Sequence, residues 1–145
     1  IKNKGKTLMI HRNKREGDLF KDVWNGVGGK LKEDESPEDA LRREIIEETG
    51  LTIREFSLNG VLTFCNNRFS GETWYVFVYT VTKFDGILQE NDEGELHWID
   101  DEKIASMKIQ DADSIFMNWL NDDKFFSAKF VFSENKPMEH EVSFY

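Results

Sequence analysis

The segment from Ser36 to Gly50 carries the sequence signals for both ends of one α-helix. Ser36 supplies a hydroxyl at the N-cap, Pro37 suits the first helical position, and Asp39 completes a capping box. Gly50 can take the left-handed conformation that commonly ends a helix. We therefore predict a helix from Pro37 to about Thr49, and any fold of this chain must accommodate it.

The predicted helix has an apolar side and an acidic side. Two sets of side chains recur at helical spacing, apolar Leu41, Ile45 and Ile46 and acidic Glu44, Glu47 and Glu48. The apolar set can anchor the helix against a sheet. The acidic set repels itself by roughly a few tenths of a kcal/mol per pair. A hard cation such as Mg²⁺ would offset this repulsion, because it takes oxygen ligands from carboxylates and substrate phosphates. The alternative is a solvated acidic face.

The remaining elements are predicted from β-branched and aromatic runs and from helical spacing. Strands are predicted at 7–11, 60–65, 74–84, 95–99, 128–132 and 141–145, and a second helix at 111–120. The polar stretch 12–22 and the Trp-Asn-Gly-Val-Gly-Gly sequence that follows are predicted to form a loop. Because strands and helices interleave, we expect an α/β or α+β layered fold with a mixed sheet.

Length and charge narrow the class of protein. The 145 residues fit a single domain over 1–145, and because the chain begins with Ile1, some N-terminal residues are expected to be missing. The formal charge of −9 disfavours a polymeric nucleic acid partner, which needs clustered Lys and Arg. No apolar run approaches the roughly 20 residues that span a bilayer, so we expect no membrane partner and a cytoplasmic location. Cys65 is the only cysteine, and we expect it in the core.

Nine positions in and around the predicted helix share one spacing. They fit G-x5-E-x7-R-E-U-x-E-E-x-G-U, where U is a bulky aliphatic residue, at Gly29, Glu35, Arg43, Glu44, Ile45, Glu47, Glu48, Gly50 and Leu51. This pattern resembles the Nudix box without a departure, and the preceding Trp-Asn-Gly-Val-Gly-Gly-Lys stretch is similar to that of the MutT-like branch. The resemblance implies a Nudix α/β/α sandwich with a mixed central sheet. It also implies hydrolysis of a nucleoside diphosphate linked to another group.

The resemblance implies a divalent metal site, with Mg²⁺ as the cofactor and Mn²⁺ as a substitute. Glu47 and Glu48 would be ligands, Glu44 a ligand or the base that activates water, and the carbonyl of Gly28 a further oxygen. Glu93 is similar to an additional metal-binding glutamate of the branch, with an acidic turn residue as the alternative.

A second group of residues has implied roles in catalysis and substrate binding. Arg43 would orient a catalytic glutamate through charge-assisted hydrogen bonds, and Glu35 of the box is a weaker candidate, with a structural role. Lys30 would contact the phosphates, unless it is simply a surface lysine.

Two positions are implied in recognition of the base. Asn25 would bind a purine, or else it satisfies a turn beside Gly26. Asp113 resembles an acidic base-recognition position, although Ala112 stands where the branch has another aspartate. A helix cap or a first-turn acid is the alternative for Asp113.

The expected function is Mg²⁺-dependent cleavage of a small nucleotide, with 8-oxo-dGTP as the expected substrate, to the monophosphate and pyrophosphate. Such a reaction would sanitise the nucleotide pool. One alternative is Nudix hydrolysis of ADP-ribose, a dinucleoside polyphosphate or a capped RNA end. The other is a non-catalytic nucleotide-binding module, which an intact set of glutamates disfavours. The sequence leaves open the preferred base, the number of metal ions and the oligomeric state.

Overall fold

The computed structural model describes residues 1–14, 16–17, 21–66, 71–89, 92, 94–122, 124–133 and 136–145. Its elements in chain order are β1 (Lys2–Asn3), β2 (Lys6–His11), β3 (Trp24–Gly26), α1 (Pro37–Thr49), β4 (Thr52–Cys65), β5 (Trp74–Asp85), β6 (Glu95–Asp100), α2 (Asp101–Ile104), α3 (Asp111–Trp119), β7 (Phe126–Ser133) and β8 (Lys136–Phe144). Every predicted strand and helix is present, which confirms the α/β class. Within these ranges, no helix has the length and apolarity needed to cross a membrane.

Strand β3 corrects the predicted loop at the Trp-Asn-Gly sequence. Asn25 pairs with Ile10 of β2, and on the other side the Trp24 N–H donates to the Lys108 carbonyl at 2.9 Å. Trp24 also forms a parallel bridge with Ile109. Partners on both edges therefore make a strand of a segment whose own residues predict a turn.

The chain divides into two compact units. The first comprises Ile1–Phe56 and Val81–Ser114, and the second comprises Ser57–Thr80 and Ile115–Tyr145. In the first unit, β6 pairs antiparallel with β2 along its whole length. Strands β1 and β3 pair antiparallel with the two ends of β2.

The second unit is built on a sheet with the strand order β5-β4-β7-β8. Strand β7 pairs parallel with β4 and antiparallel with β8, so the predicted mixed sheet is confirmed. Phe126 and Phe130 of β7 are fully buried, and the ring of Trp119 packs on both, with centroids 5.3 Å and 6.2 Å away. Strand β4 starts at Thr52, eight residues before the predicted start. The prediction missed the first half of the strand because that half lacks a continuous apolar run.

Helix α1 is anchored in the core of the first unit. That core consists of Leu8, Ile45, Leu51, Ile53 and Val81. Ile45 is 2% exposed, and burying such a side chain contributes about 1.5–3 kcal/mol. The prediction that Ile46 belongs to the apolar stripe is wrong. Ile46 is 51% exposed, because one further residue turns its side chain by about 100° from that of Ile45.

Both predicted ends of α1 are confirmed. The Asp39 N–H donates to Ser36 Oγ at 3.1 Å, and the Ser36 N–H donates to Asp39 Oδ2 at 3.2 Å, which is the capping box. Gly50 has φ of 73°, and its N–H donates to the Ile46 carbonyl at 2.9 Å. The caps and the buried Ile45 together fix which side of the helix presents the glutamates.

Candidate active site

Arg43 of α1 links the helix glutamates to the loop that precedes the helix. Its Nη1 donates to Glu44 Oε1 at 2.6 Å and to Glu47 Oε2 at 3.0 Å. Its Nη2 donates to the Lys30 carbonyl at 3.0 Å and to Glu35 Oε2 at 2.8 Å, and Nε donates to the other oxygen of Glu35. The Arg43 side chain is only 18% exposed. One guanidinium therefore organises three carboxylates and a backbone carbonyl.

Glu35 is the main anion that holds Arg43. Besides the two-point pairing with Arg43, it accepts a hydrogen bond from the Lys32 N–H at 2.8 Å. These hydrogen bonds, chiefly from Arg43, lower the pKa of Glu35 to about 2, so this carboxyl is ionised throughout the physiological range. The same pairing, followed by that with Glu44, raises the pKa of Arg43 above its ordinary value.

Gly29 allows the carboxylate of Glu44 to lie against the backbone of the loop. A Cβ atom at position 29 would stand 2.3 Å from Cδ and Oε1 of Glu44, far inside van der Waals contact. The Glu44 side chain is 15% exposed and also bonded to Arg43. The glycine that opens the box spacing is thus required by a close approach to a side chain fifteen residues later.

The backbone of Gly28 contacts the side chain of Glu48. The Gly28 N–H donates to Glu48 Oε2 at 3.1 Å, and Gly28 has φ of 154°, a conformation that L side chains rarely adopt. Glu47 is more exposed, and its Oε1 lies 3.6 Å from Nζ of Lys32. The structure therefore sets each of the three predicted helix glutamates against the same loop.

The donor chemistry of this assembly suits a hard divalent cation. The carboxylates of Glu44, Glu47 and Glu48 are oxygen donors of the kind that Mg²⁺ prefers. In the part of the chain that the structure describes, no three Asp, Glu, His or Cys side chains already stand close enough together to hold an ion. Glu93, the predicted fourth carboxylate, lies outside the described residues.

Asn25 sits on β3 and is half-buried. Its Oδ1 is buried and accepts no hydrogen bond from the described residues. It therefore does not satisfy a turn beside Gly26, which itself lies in the strand opposite Met9. A buried acceptor without a partner costs about 1–3 kcal/mol, so this position is better suited to a ligand than to stability alone.

Asp113 lies in the first turn of α3, since the helix begins at Asp111, and it is therefore not the N-cap. Burial raises the pKa of its carboxyl from 3.8 to about 7. The segment just before α3 is hydrogen-bonded to β3, where the Trp24 N–H donates to the Lys108 carbonyl. A carboxyl that is partly protonated at neutral pH can donate a hydrogen bond as well as accept one.

Lys30 has a role in the assembly that the sequence does not reveal. Its carbonyl accepts a hydrogen bond from Arg43, while the residue as a whole is exposed. Side-chain chemistry alone points only to phosphate binding, because a backbone contact leaves no signal in residue type. The same holds for the Lys32 amide that bonds Glu35.

Comparison with known proteins gives consistent matches. A NUDIX domain profile matches residues 1–128. A Danio rerio protein named oxidized purine nucleoside triphosphate hydrolase is 39% identical over 83 residues, which is 56% of this chain and 51% of that protein. A Mus musculus protein of the same name is 30% identical over 113 residues, which is 77% of this chain and 70% of that protein.

A solved structure shows the same fold. The crystal structure of a MutT protein from Bacillus halodurans matches with a TM-score of 0.78 and 22% identity, over 95% of this chain and 90% of that chain. The likeness confirms the expected fold. This chain spans about half the length of the Danio rerio relative.

Proposed function

Because the chain belongs to the Nudix family, we propose that it is a MutT-like pyrophosphohydrolase that cleaves a purine nucleoside triphosphate to the monophosphate and pyrophosphate. The observation that carries the proposal is the assembly around Arg43, which gathers Glu44 and Glu47 beside the loop that binds Glu48. We take 8-oxo-dGTP as the substrate. Two relatives named oxidized purine nucleoside triphosphate hydrolase support that choice.

A divalent cation, Mg²⁺ with Mn²⁺ as a substitute, would be held by the box glutamates. Glu44, Glu47 and Glu48 would supply carboxylate oxygens, with the Gly28 carbonyl and Glu93 as further ligands. Such an ion supplies neutralisation of phosphate charge and activation of water.

The protein's own groups then position the reactants. In the metal-free protein, Arg43 fixes the Glu44 carboxylate from one side, while the bare Cα of Gly29 allows it to approach the loop. Glu44 would then act either as a ligand or as the base that takes a proton from the attacking water. Lys30, exposed on the same loop, would contact the phosphates.

Base recognition would come from β3 and the first turn of α3. Asn25 offers an unsatisfied acceptor, and Asp113 with a pKa of about 7 offers both a donor and an acceptor near neutral pH. A purine presents donors and acceptors along its edge, and sites built on buried polar groups discriminate strongly between such edges.

The proposal is tested by a hydrolysis screen of the purified protein with and without Mg²⁺, with the products identified. The panel contains 8-oxo-dGTP, dGTP, ADP-ribose, a dinucleoside polyphosphate and a capped RNA. We expect the highest kcat/KM with 8-oxo-dGTP, and pyrophosphate as a product. Preference for another member of the panel would overturn the substrate assignment, and no metal-dependent turnover of any member would overturn the proposed activity.

A further inference from the structure

One nitrogen of Arg43, Nη1, donates hydrogen bonds to the carboxylates of both Glu44 and Glu47. Nη1 donates to Glu44 at 2.6 Å and to Glu47 at 3.0 Å. Both glutamates belong to the proposed metal ligands, so this inference rests on the proposed function. A cation already pairs with the oxygens that an incoming divalent ion would need.

The rest of the guanidinium is held independently of those contacts. Nε and Nη2 bind both oxygens of Glu35, and Nη2 also binds the Lys30 carbonyl. Glu35 is itself fixed by the Lys32 N–H at 2.8 Å. Arg43 can therefore release Glu44 and Glu47 while it stays bound at Glu35.

We propose that Arg43 is a positioning residue that competes with the divalent cation for Glu44 and Glu47, and that Glu35 sets the strength of this competition. Without the ion, Nη1 offsets the repulsion between the two glutamates and keeps them oriented. When the ion binds, its charge replaces that of Nη1, and Glu35 retains the guanidinium. The affinity for the metal is thus set by how the charge of Arg43 is divided between Glu35 and the two ligands.

Substitutions of Arg43 and of Glu35 should have opposite effects on metal affinity. Replacing the guanidinium in Arg43→Gln removes the competitor, so we expect Mn²⁺ to bind about fivefold more tightly, at the upper end for a partly exposed ion pair. In Glu35→Gln the guanidinium loses its main anion and pairs more strongly with Glu44 and Glu47. We expect Mn²⁺ to bind that variant several-fold more weakly.

The assay is Mn²⁺ binding followed by electron paramagnetic resonance of the free ion, with no nucleotide present. A double-mutant cycle separates competition from a general change in charge. If Glu35 acts through Arg43, Glu35→Gln weakens binding in the wild-type background and has no effect in the Arg43→Gln background. Additive effects in the double variant would overturn the proposal.

Arg42 provides a matched control on the same helix. It is exposed, and its guanidinium stacks over the ring of Phe56 at 4.9 Å from the centroid. Arg42→Gln removes the same charge without touching the glutamates, so we expect a change in Mn²⁺ affinity below about twofold. An Arg42→Gln effect equal to that of Arg43→Gln would overturn competition at the ligands.

A measurement on the wild-type protein covers the case in which Arg43→Gln does not fold, as judged by circular dichroism. In ¹⁵N-labelled protein, Mg²⁺ should shift the Nη resonances of Arg43 and leave its Nε–H resonance, bonded to Glu35, in place. Unchanged Nη resonances at saturating Mg²⁺ would overturn the proposal. If neither the wild-type protein nor the arginine variant binds Mn²⁺, the proposed metal site fails with it, whereas binding with equal affinity defeats only the competition.

Discussion

Replacing Gly29 by alanine tests whether the position of the Glu44 carboxylate matters for turnover. The added Cβ would lie 2.3 Å from Glu44 Oε1, whereas ordinary contact begins at 3.4 Å. The carboxylate must therefore move by about 1 Å, because the backbone of the loop is less free to yield than the end of a side chain. In the metal-free protein, such a shift would also break the 2.6 Å bond from Arg43 to Glu44.

The expected loss of activity follows from that displacement. Misplacement of a catalytic group by 1 Å can cost about 100-fold in rate, or roughly 2.7 kcal/mol of barrier. Stability should change much less, by about 1 kcal/mol or below, because Glu44 is a flexible side chain outside the hydrophobic core. Gly29→Ala should thus fold normally and turn over slowly.

The assay pairs steady-state kinetics with urea unfolding, and Gly26→Ala is the matched control. A Cβ at Gly26 meets nothing within 4 Å, so this variant should retain the wild-type kcat. If Gly29→Ala keeps kcat within about threefold of wild type while it unfolds like wild type, the role assigned to Glu44 is wrong.

Four further changes test other parts of the structure. Glu48→Gln should lower kcat by about 100-fold or more with the fold intact, while Glu38→Gln on the same helix should not, and equal kinetics in the two would remove Glu48 from the site. Asn25→Ala should reduce the kcat/KM ratio of 8-oxo-dGTP to dGTP by about tenfold, and an unchanged ratio would remove Asn25 from base recognition. The raised pKa of Asp113 means that the folded state binds the proton more tightly, so the stability of the wild-type protein falls as the pH rises from about 4 to 7. The unfolding free energy of Asp113→Asn, measured in urea, should therefore rise relative to that of wild type by about 1–3 kcal/mol between pH 5 and pH 8. A difference that stays constant with pH would contradict the raised pKa. Gly50→Ala places alanine at φ of 73°, with its Cβ 2.6 Å from the Gln89 side chain, and should cost about 1–2 kcal/mol of unfolding free energy, whereas wild-type stability would show that the cap is not needed.

The short-range features of this protein could be predicted from its sequence. The two ends of α1 depend on contacts between residues three or four apart, such as Ser36 with Asp39 and Gly50 with Ile46. The spacing of the box residues predicted the family, and the likeness to known proteins confirmed it. Residue types alone placed the glutamates on one helix, because helical geometry repeats every 3.6 residues.

Contacts between distant parts of the chain were decided only by the tertiary structure. Strand β3 exists because β2 and Lys108 offer backbone partners to Trp24 and Asn25, and no local pattern contains those partners. The sequence could propose that Arg43 orients a glutamate, but not that Lys30 lends its carbonyl to hold it. The pKa of Asp113 likewise depends on the burial of a single carboxyl, which residue spacing does not encode. Local hydrogen bonds determine where helix α1 starts and stops, whereas the chemistry of the site depends on which distant groups the fold brings within a few ångströms of it.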